Sequence, residues 1–286
     1  MSSVLDTPTI ESRSRFWLRV WRNPVGLTAF GILLLLMLLV LFGSIFYPIA
    51  SDATDPLNIL ATPSAAHLLG TDELGRDMLS RLIAGGRVSL SVGLLSMLVG
   101  LTIGTLAGGL AGYFRGWSET VLMRMVDVFM AIPSFFLVLV IVTVMGNHPL
   151  TVIISVGIGF WAQMGRVVYA EFIKYRSRNF IEAVHALGAS HTRIMILHIF
   201  PQVLPQATVL ATLGVGWAIL TEAALSYLGL GIQPPLASWG NMLQNAQAYI
   251  YSNPWLAIYP GLLIAITVLT VNVLGNTLRD IFVPRS

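Results

Sequence analysis

The sequence predicts an all-α integral membrane protein of about six transmembrane helices, and three observations carry that reading. Apolar residues fill 56% of 286 positions, charged residues only 10%, and mean hydropathy is +0.79. A soluble domain carries about 25% charged residues, so lipid must solvate much of this surface. Uncharged stretches long enough for a bilayer core, which takes roughly 20 residues, recur along the chain. Basic residues gather beside alternate ends of those stretches. The net charge of +3 therefore reads as membrane topology, with no nucleic acid as partner. There are no cysteines, which excludes disulfides, thiol catalysis and thiolate-bound metals.

Residues 1–23 form a basic leading segment with Arg13, Arg15, Arg19 and Arg22. Val25 to Phe46 is uncharged and predicts the first span, within 24–47. A cleavable signal has an apolar region of only about 7–15 residues, so this one is expected to stay as an anchor. Residues 48–87 are expected outside. They open with a loop rich in Pro, Asp and Thr, followed by a helix at the membrane interface, capped by Thr71 and carrying Leu74, Met78 and Leu82 on one face.

Residues 88–286 form the core. Val88 to Phe114 is the second span. The turn-forming run Gly146-Asn147-His148-Pro149 divides the next apolar stretch into helices of about 121–145 and 150–169. Pro133 gives the former a place to bend. Pro201 to Leu228 holds the fifth span and Pro254 to Leu278 the sixth. Between them, residues 229–253 form an outer loop. There Ser238 is expected to cap a helix with Trp239, Met242, Leu243, Ala246 and Tyr249 on one side. Asn241, Gln244, Asn245 and Gln247 lie on the other, a half-polar helix suited to a pore rim, a partner or the headgroup layer.

Six spans put nearly all basic residues on one side. Arg115 and Arg124, then Arg166, Lys174, Arg176, Arg178 and Arg193, then Arg279 and Arg285 join the leading arginines there, against Arg76, Arg81 and Arg87 opposite. The crowded side is expected to be cytoplasmic, with both termini inside.

The inner segment 170–203 is far longer than a connector needs. It contains Phe180-Ile181-Glu182-Ala183-Val184-His185-Ala186-Leu187-Gly188-Ala189-Ser190 and reaches His198-Ile199-Phe200-Pro201. Gly188 is expected to end or bend a helix, and Pro201 to begin the next span.

Glu182, Ala183, Gly188 and Pro201 stand at the spacing of the EAA signature and resemble that of ABC importer permeases. Val184, His198 and Phe200 depart from its usual residues. His67-Leu68-Leu69-Gly70-Thr71-Asp72-Glu73-Leu74-Gly75-Arg76-Asp77, Gly85-Gly86-Arg87-Val88-Ser89-Leu90, Leu225 to Pro235 and Ser238-Trp239-Gly240 are similar to motifs of the dipeptide/oligopeptide/nickel branch, in its C-type subunit. The resemblance implies the type I importer permease fold in a bacterial cytoplasmic (inner) membrane. It also implies a B-type permease partner, two cytoplasmic ATPase subunits and an extracytoplasmic substrate-binding protein. The expected function is half of a translocation pathway for di- or oligopeptides, with nickel or other metal chelates, glutathione or antimicrobial peptides as alternative cargo.

In that reading the segment around Ala186–Ser190 is a coupling helix that docks on an ATPase, with Glu182, Ala183, Val184, Ala186, Leu187, Gly188, Ala189, Ser190 and Pro201 as coupling residues. ATP and Mg would sit on the ATPase chains and no cofactor on this one. A P-loop ends in Gly-Lys, and the single lysine here, Lys174, follows Ile173.

Other residues admit two readings each. Glu222 in the fifth span is a pathway residue or a buried interhelical hydrogen bond, since a charge at membrane depth costs about 2.5–3.5 kcal/mol. Asp127 is a pathway residue or an i,i+3 ion pair with Arg124. Trp239 and Asn241 join the pathway candidates. Arg76 and Asp77 are a structural pair or cap, or a docking point for the binding protein. Gly100, Gly104, Gly108 and Gly112 form a packing stripe whose partner helix lies in this chain or in the second permease. His148, His185, His191 and His198 lack a carboxylate cluster, so no metal site and no catalytic residues are expected. An ion-coupled transporter would show internal repeats and broken helices, and a membrane enzyme a His-Glu-x-x-His or nucleophile motif. Neither a repeat nor such a motif is visible.

Overall fold

The computed structural model describes residues 23–282. The leading arginines and Arg285 lie outside them. The described residues form helices α1 (Pro24–Phe46), α2 (Met78–Phe114), α3 (Gly116–Ala131), α4 (Ser134–Met145), α5 (Pro149–Arg176), α6 (Asn179–Ala186), α7 (His191–Tyr227), α8 (Trp239–Ala246) and α9 (Trp255–Phe282). Five are long and apolar enough to cross a membrane, and α3 with α4 makes a sixth span bent by 89°. The bend falls at Ile132-Pro133. Proline removes a backbone donor and clashes with the preceding turn, and here the kink becomes a break.

Helix α2 is the organising element. Its glycine stripe packs against α5 of the same chain, which settles the partner of Gly100, Gly104, Gly108 and Gly112. A Cβ on Gly104 would lie 2.7 Å from the Trp161 carbonyl oxygen, and one on Gly112 2.9 Å from that of Tyr169. No larger side chain fits, and the two backbones approach as closely as membrane helices do when dispersion rather than water drives packing. The pairing is parallel, Gly100 beside Gly157 and Gly112 beside Phe172. Helix α1 stays peripheral. It is held by Gly26 against Thr277 of α9 and by Arg87, whose guanidinium donates to the Val40 and Leu41 carbonyls at 2.7 and 3.0 Å.

The expected helix starting at Thr71 is not formed. Helix α2 begins at Met78, capped by Asp77, whose carboxylate accepts the Ser80 N–H at 2.8 Å. Residues 48–77 before it form an irregular knot. Gly70 and Gly75 adopt φ of +78° and +74°, and Asp72 accepts the backbone N–H groups of Leu74 and Arg76 at 2.9 Å. Such local side-chain bonds compete with a helix. Thr71 instead pairs with Asp77 in a short antiparallel bridge, and Leu74 is exposed. Met78 and Leu82 are buried, but within the span itself.

Arg76 and Asp77, read above as a possible docking point, are both buried. Arg76 is bound to Asp72 at 2.7 Å and Glu73 at 2.8 Å. Asp77 also takes bonds from Tyr47 at 2.8 Å and His67 at 2.9 Å. Burial and that bond to Asp77 push the Tyr47 hydroxyl above its ordinary pKa. The pair locks the outer segment onto the end of α2 and leaves neither side chain free for another protein.

Helix α7 also differs from expectation. It starts at His191 and runs through a π-helical stretch, Ile194–Ile199, into its regular part from Phe200. Pro201 therefore lies inside a continuous helix and does not begin it. The wider turn, with Phe200 N–H bonded to Met195 O, accommodates a proline that has no N–H to give.

Candidate functional site

One end of the bundle gathers the start of α1, the ends of α2, α5 and α9, helix α6 and the start of α7. Arg115, Lys174, Arg176, Arg178, Arg193 and Arg279 lie at this end. Helix α6 is the feature that stands apart. Gly188, at φ +83°, is a conformation that suits a residue without Cβ and ends the helix just after Leu187. Ser190 then opens α7 by accepting the Arg193 N–H. The helix of this segment is thus Asn179–Ala186, and the expected coupling helix at Ala186–Ser190 is corrected to a helix end and turn. Glu182 sits in the first turn of α6 and His185 in the last, each on the side the helix dipole favours.

Ile181 is the one buried residue of α6. Val184 and Ala189 are half-buried against the core. Glu182, Ala183, Ala186, Leu187, Gly188 and Ser190 face outward, and Leu187 is 87% exposed. Its neighbours Ala183, Ala186 and Gly188 are exposed too, so the tip of α6 is left uncovered by its own chain. Behind α6 opens a cleft of about 490 Å³ between α2, α5 and α7. There the Tyr113 hydroxyl meets His191 Nδ1 at 2.8 Å, Arg176 lies 5.7 Å above the Tyr113 ring, and the His185 and His191 rings are 5.5 Å apart. Neither Tyr113 nor Arg176 is among the sequence-derived site residues, because neither stands in the motif; Arg176 enters the sequence reading only as part of the basic side. Pro201, counted with the loop, is exposed on α7 and away from this cleft.

The opposite end is closed by α8 and the loop before it. Ser238 and Asn241 form a reciprocal capping box at 3.2 and 3.0 Å. The Asn241 amide donates to the Ile232 and Leu236 carbonyls at 3.2 and 2.8 Å. The Trp239 indole donates to Leu82 O at 3.0 Å. Both side chains, expected at a pore rim, are fully buried and act as fasteners. The half-polar pattern misled because Asn241 spends its polar atoms on its own loop. Glu222 of α7 is fully buried and accepts from Ser89 at 2.9 Å and Ser226 at 2.7 Å. Ser89 in turn accepts the Trp239 N–H at 3.2 Å, and Ser226 the Ile232 N–H at 2.9 Å. Of its two readings, the structure selects the interhelical bond. One carboxylate ties α2, α7 and the α8 loop together, and full satisfaction makes such a network rigid.

Asp127 pairs across helices with Arg166 of α5, more closely than with Arg124 at 3.8 Å. The expected i,i+3 pair is secondary. Among the described residues no group of three or more His, Asp or Glu could hold a metal.

Residues 100–286 match the family described as binding-protein-dependent transport system inner membrane component, and residues 13–63 match the N-terminal transmembrane domain of oligopeptide transport permease C. The chain belongs to the binding-protein-dependent transport permeases. It is 38% identical over 271 residues to the glutathione transport system permease protein GsiD of Pectobacterium atrosepticum, covering 94% of this chain and 90% of that one. It is 37% identical to the dipeptide transport system permease protein DppC of Alkalihalophilus pseudofirmus, covering 92% and 87%. The inward-facing MetNI methionine ABC transporter shares the fold, with a TM-score of 0.59 at 20% identity over 71% of this chain and 97% of that one. The permease is thus a multi-pass inner-membrane transport subunit of type I importer architecture. Such a permease works with an ATPase and a substrate-binding protein.

Proposed function

We propose that this permease forms half of a translocation pathway for small peptides, pairing with a second, B-type permease, and that α6 carries the stroke of two separate ATPase subunits. The single observation that carries this is α6 itself: an eight-residue helix with one buried residue and an exposed Leu187, projecting from the basic end of the bundle. A helix so poorly anchored by its own chain needs another to hold it. Clustering of basic residues at that end supports a cytoplasmic placement for it and for both termini. The binding protein would deliver cargo at the α8 end. ATP and Mg would be bound by the ATPase chains, and this chain would catalyse nothing. Alternating access would follow as the ATPase dimer closes and opens under α6.

The dipeptide and glutathione permeases to which the chain is similar favour a peptide with a free carboxylate as cargo, glutathione included. The deciding experiment reconstitutes the permease pair with its ATPases and binding protein in liposomes. The expected result is peptide-stimulated ATP hydrolysis and peptide uptake. Uptake that persists without any ATPase would overturn the proposal.

A further inference from the structure

Helices α3 and α5 expose a strip of polar side chains where lipid would be expected. On α5, Gln163 is exposed and Arg166 half-exposed, three residues apart on one side of the helix. On α3, Asp127 meets Arg166, and Arg124 stands beside it. The Asp127 and Arg166 side chains are 45% and 41% exposed, although they bind each other. Arg166 is the first charged residue of α5, 17 residues past Pro149. That is about 25 Å along the axis, within a hydrocarbon core of about 30 Å. Gln163 lies nearly a turn deeper. It makes no hydrogen bond among the described residues. Arginine can snorkel to the interface, but a glutamine or aspartate side chain is too short. Exposed polar groups at that depth belong to a water-filled cavity or to a protein contact.

We infer that Gln163, Arg166, Asp127 and Arg124 line the inner half of the solute path, and that Arg166 receives the carboxylate of a passing peptide. This rests on the peptide-permease reading above. The charge balance points to that group: two guanidinium groups face one carboxylate, so the strip is one positive charge in excess. Guanidinium is built for planar, two-point recognition of carboxylates, while Asp127 remains for the peptide's ammonium end. After Ala131 the chain turns away, with α4 departing from α3 at 89°.

The chain has no cysteine, so Gln163→Cys places a single thiol in it within the complete reconstituted importer. A membrane-impermeant sulfonated thiosulfonate reagent should modify that thiol faster than one at Leu98 (Leu98→Cys), an exposed leucine on the apolar surface of α2, and peptide should slow the reaction. The labelling probes are Ala-Ala-Ala and S-methylglutathione, whose capped thiol cannot consume the reagent, and the acid-to-amide comparison uses Ala-Ala-Ala and its C-terminal amide. Arg166→Gln should reduce the preference of uptake for the free acid over the amide by about tenfold, the worth of one charge-assisted hydrogen bond, and Arg166→Lys should restore part of it. A Gln163→Cys thiol as slow as the Leu98→Cys control in both nucleotide-free and vanadate-trapped importer, as when the second permease covers the strip, overturns the inference. So does an unchanged acid-to-amide ratio in Arg166→Gln. Failure of the peptide reading looks different: the wild-type importer then moves none of the probes, while the thiol rates still report whether the strip is wet.

Discussion

Helices α6 and α8 are both eight residues long and cap opposite ends of the bundle, yet they are held in contrary ways. Helix α8 buries Trp239, Gly240, Asn241, Met242 and Ala246, and closes its own start with a capping box. A Cβ on Gly240 would lie 2.6 Å from the Ala223 Cα, so the helix backbone sits directly on α7. Helix α6 buries Ile181 alone and has no side-chain cap. The difference teaches where each helix finds its stability: α8 is anchored within its own chain, while α6 is held by little beyond Ile181 and leaves Leu187 for the ATPase contact proposed above.

The sharpest way to break the comparison is at Trp239. Trp239→Ala should cost about 3–5 kcal/mol, seen as loss of purified importer or a much lower unfolding temperature. If it does not, α8 is not anchored as described. Next comes Glu222→Leu, which strands the Ser89 and Ser226 hydroxyls in the interior and should cost about 1–3 kcal/mol. Glu222→Gln keeps one acceptor and should recover part of that in the same thermal assay. Ser238→Ala removes one side of the capping box and should cost about 1 kcal/mol. The smallest effect on stability belongs to α6. Leu187→Ala should shift unfolding by less than about 0.5 kcal/mol while uncoupling ATP hydrolysis from uptake. A variant that loses stability instead would make α6 a second α8.

Much of this contrast is legible in the residues. Ser238 at the head of a helix and Gly188 at the end of another are local signals, and both stand where the sequence places them. The inner segment 170–203 announces itself by length and charge. What misleads is any feature with two local solutions. Thr71 and Asp77 both make good caps. Asp77 prevails because Tyr47 and His67 also bind it, and because Asp72 draws the intervening N–H groups into a turn. Asn241 reads as the polar face of an exposed helix, but its partners, the carbonyls of Ile232 and Leu236, are unremarkable until the loop folds back. Arg166 is absent from the sequence-derived site because its partner Asp127 is 39 residues away.

By itself the sequence determined that the chain lives in a bilayer, that its apolar stretches are long enough to cross it, that its basic residues cluster beside alternate ends of those stretches, and that a glycine stripe runs down the second span. Those properties depend on neighbours within a turn or two, or on composition, so they survive without knowledge of the fold. Only the tertiary structure decided that α5 receives the stripe, that Glu222 is a fastener, that Trp239 points inward and that Asp127 joins Arg166. Each of these is a contact between distant segments, and its strength comes from excluding lipid and water from a shared space that exists only once both segments are in place.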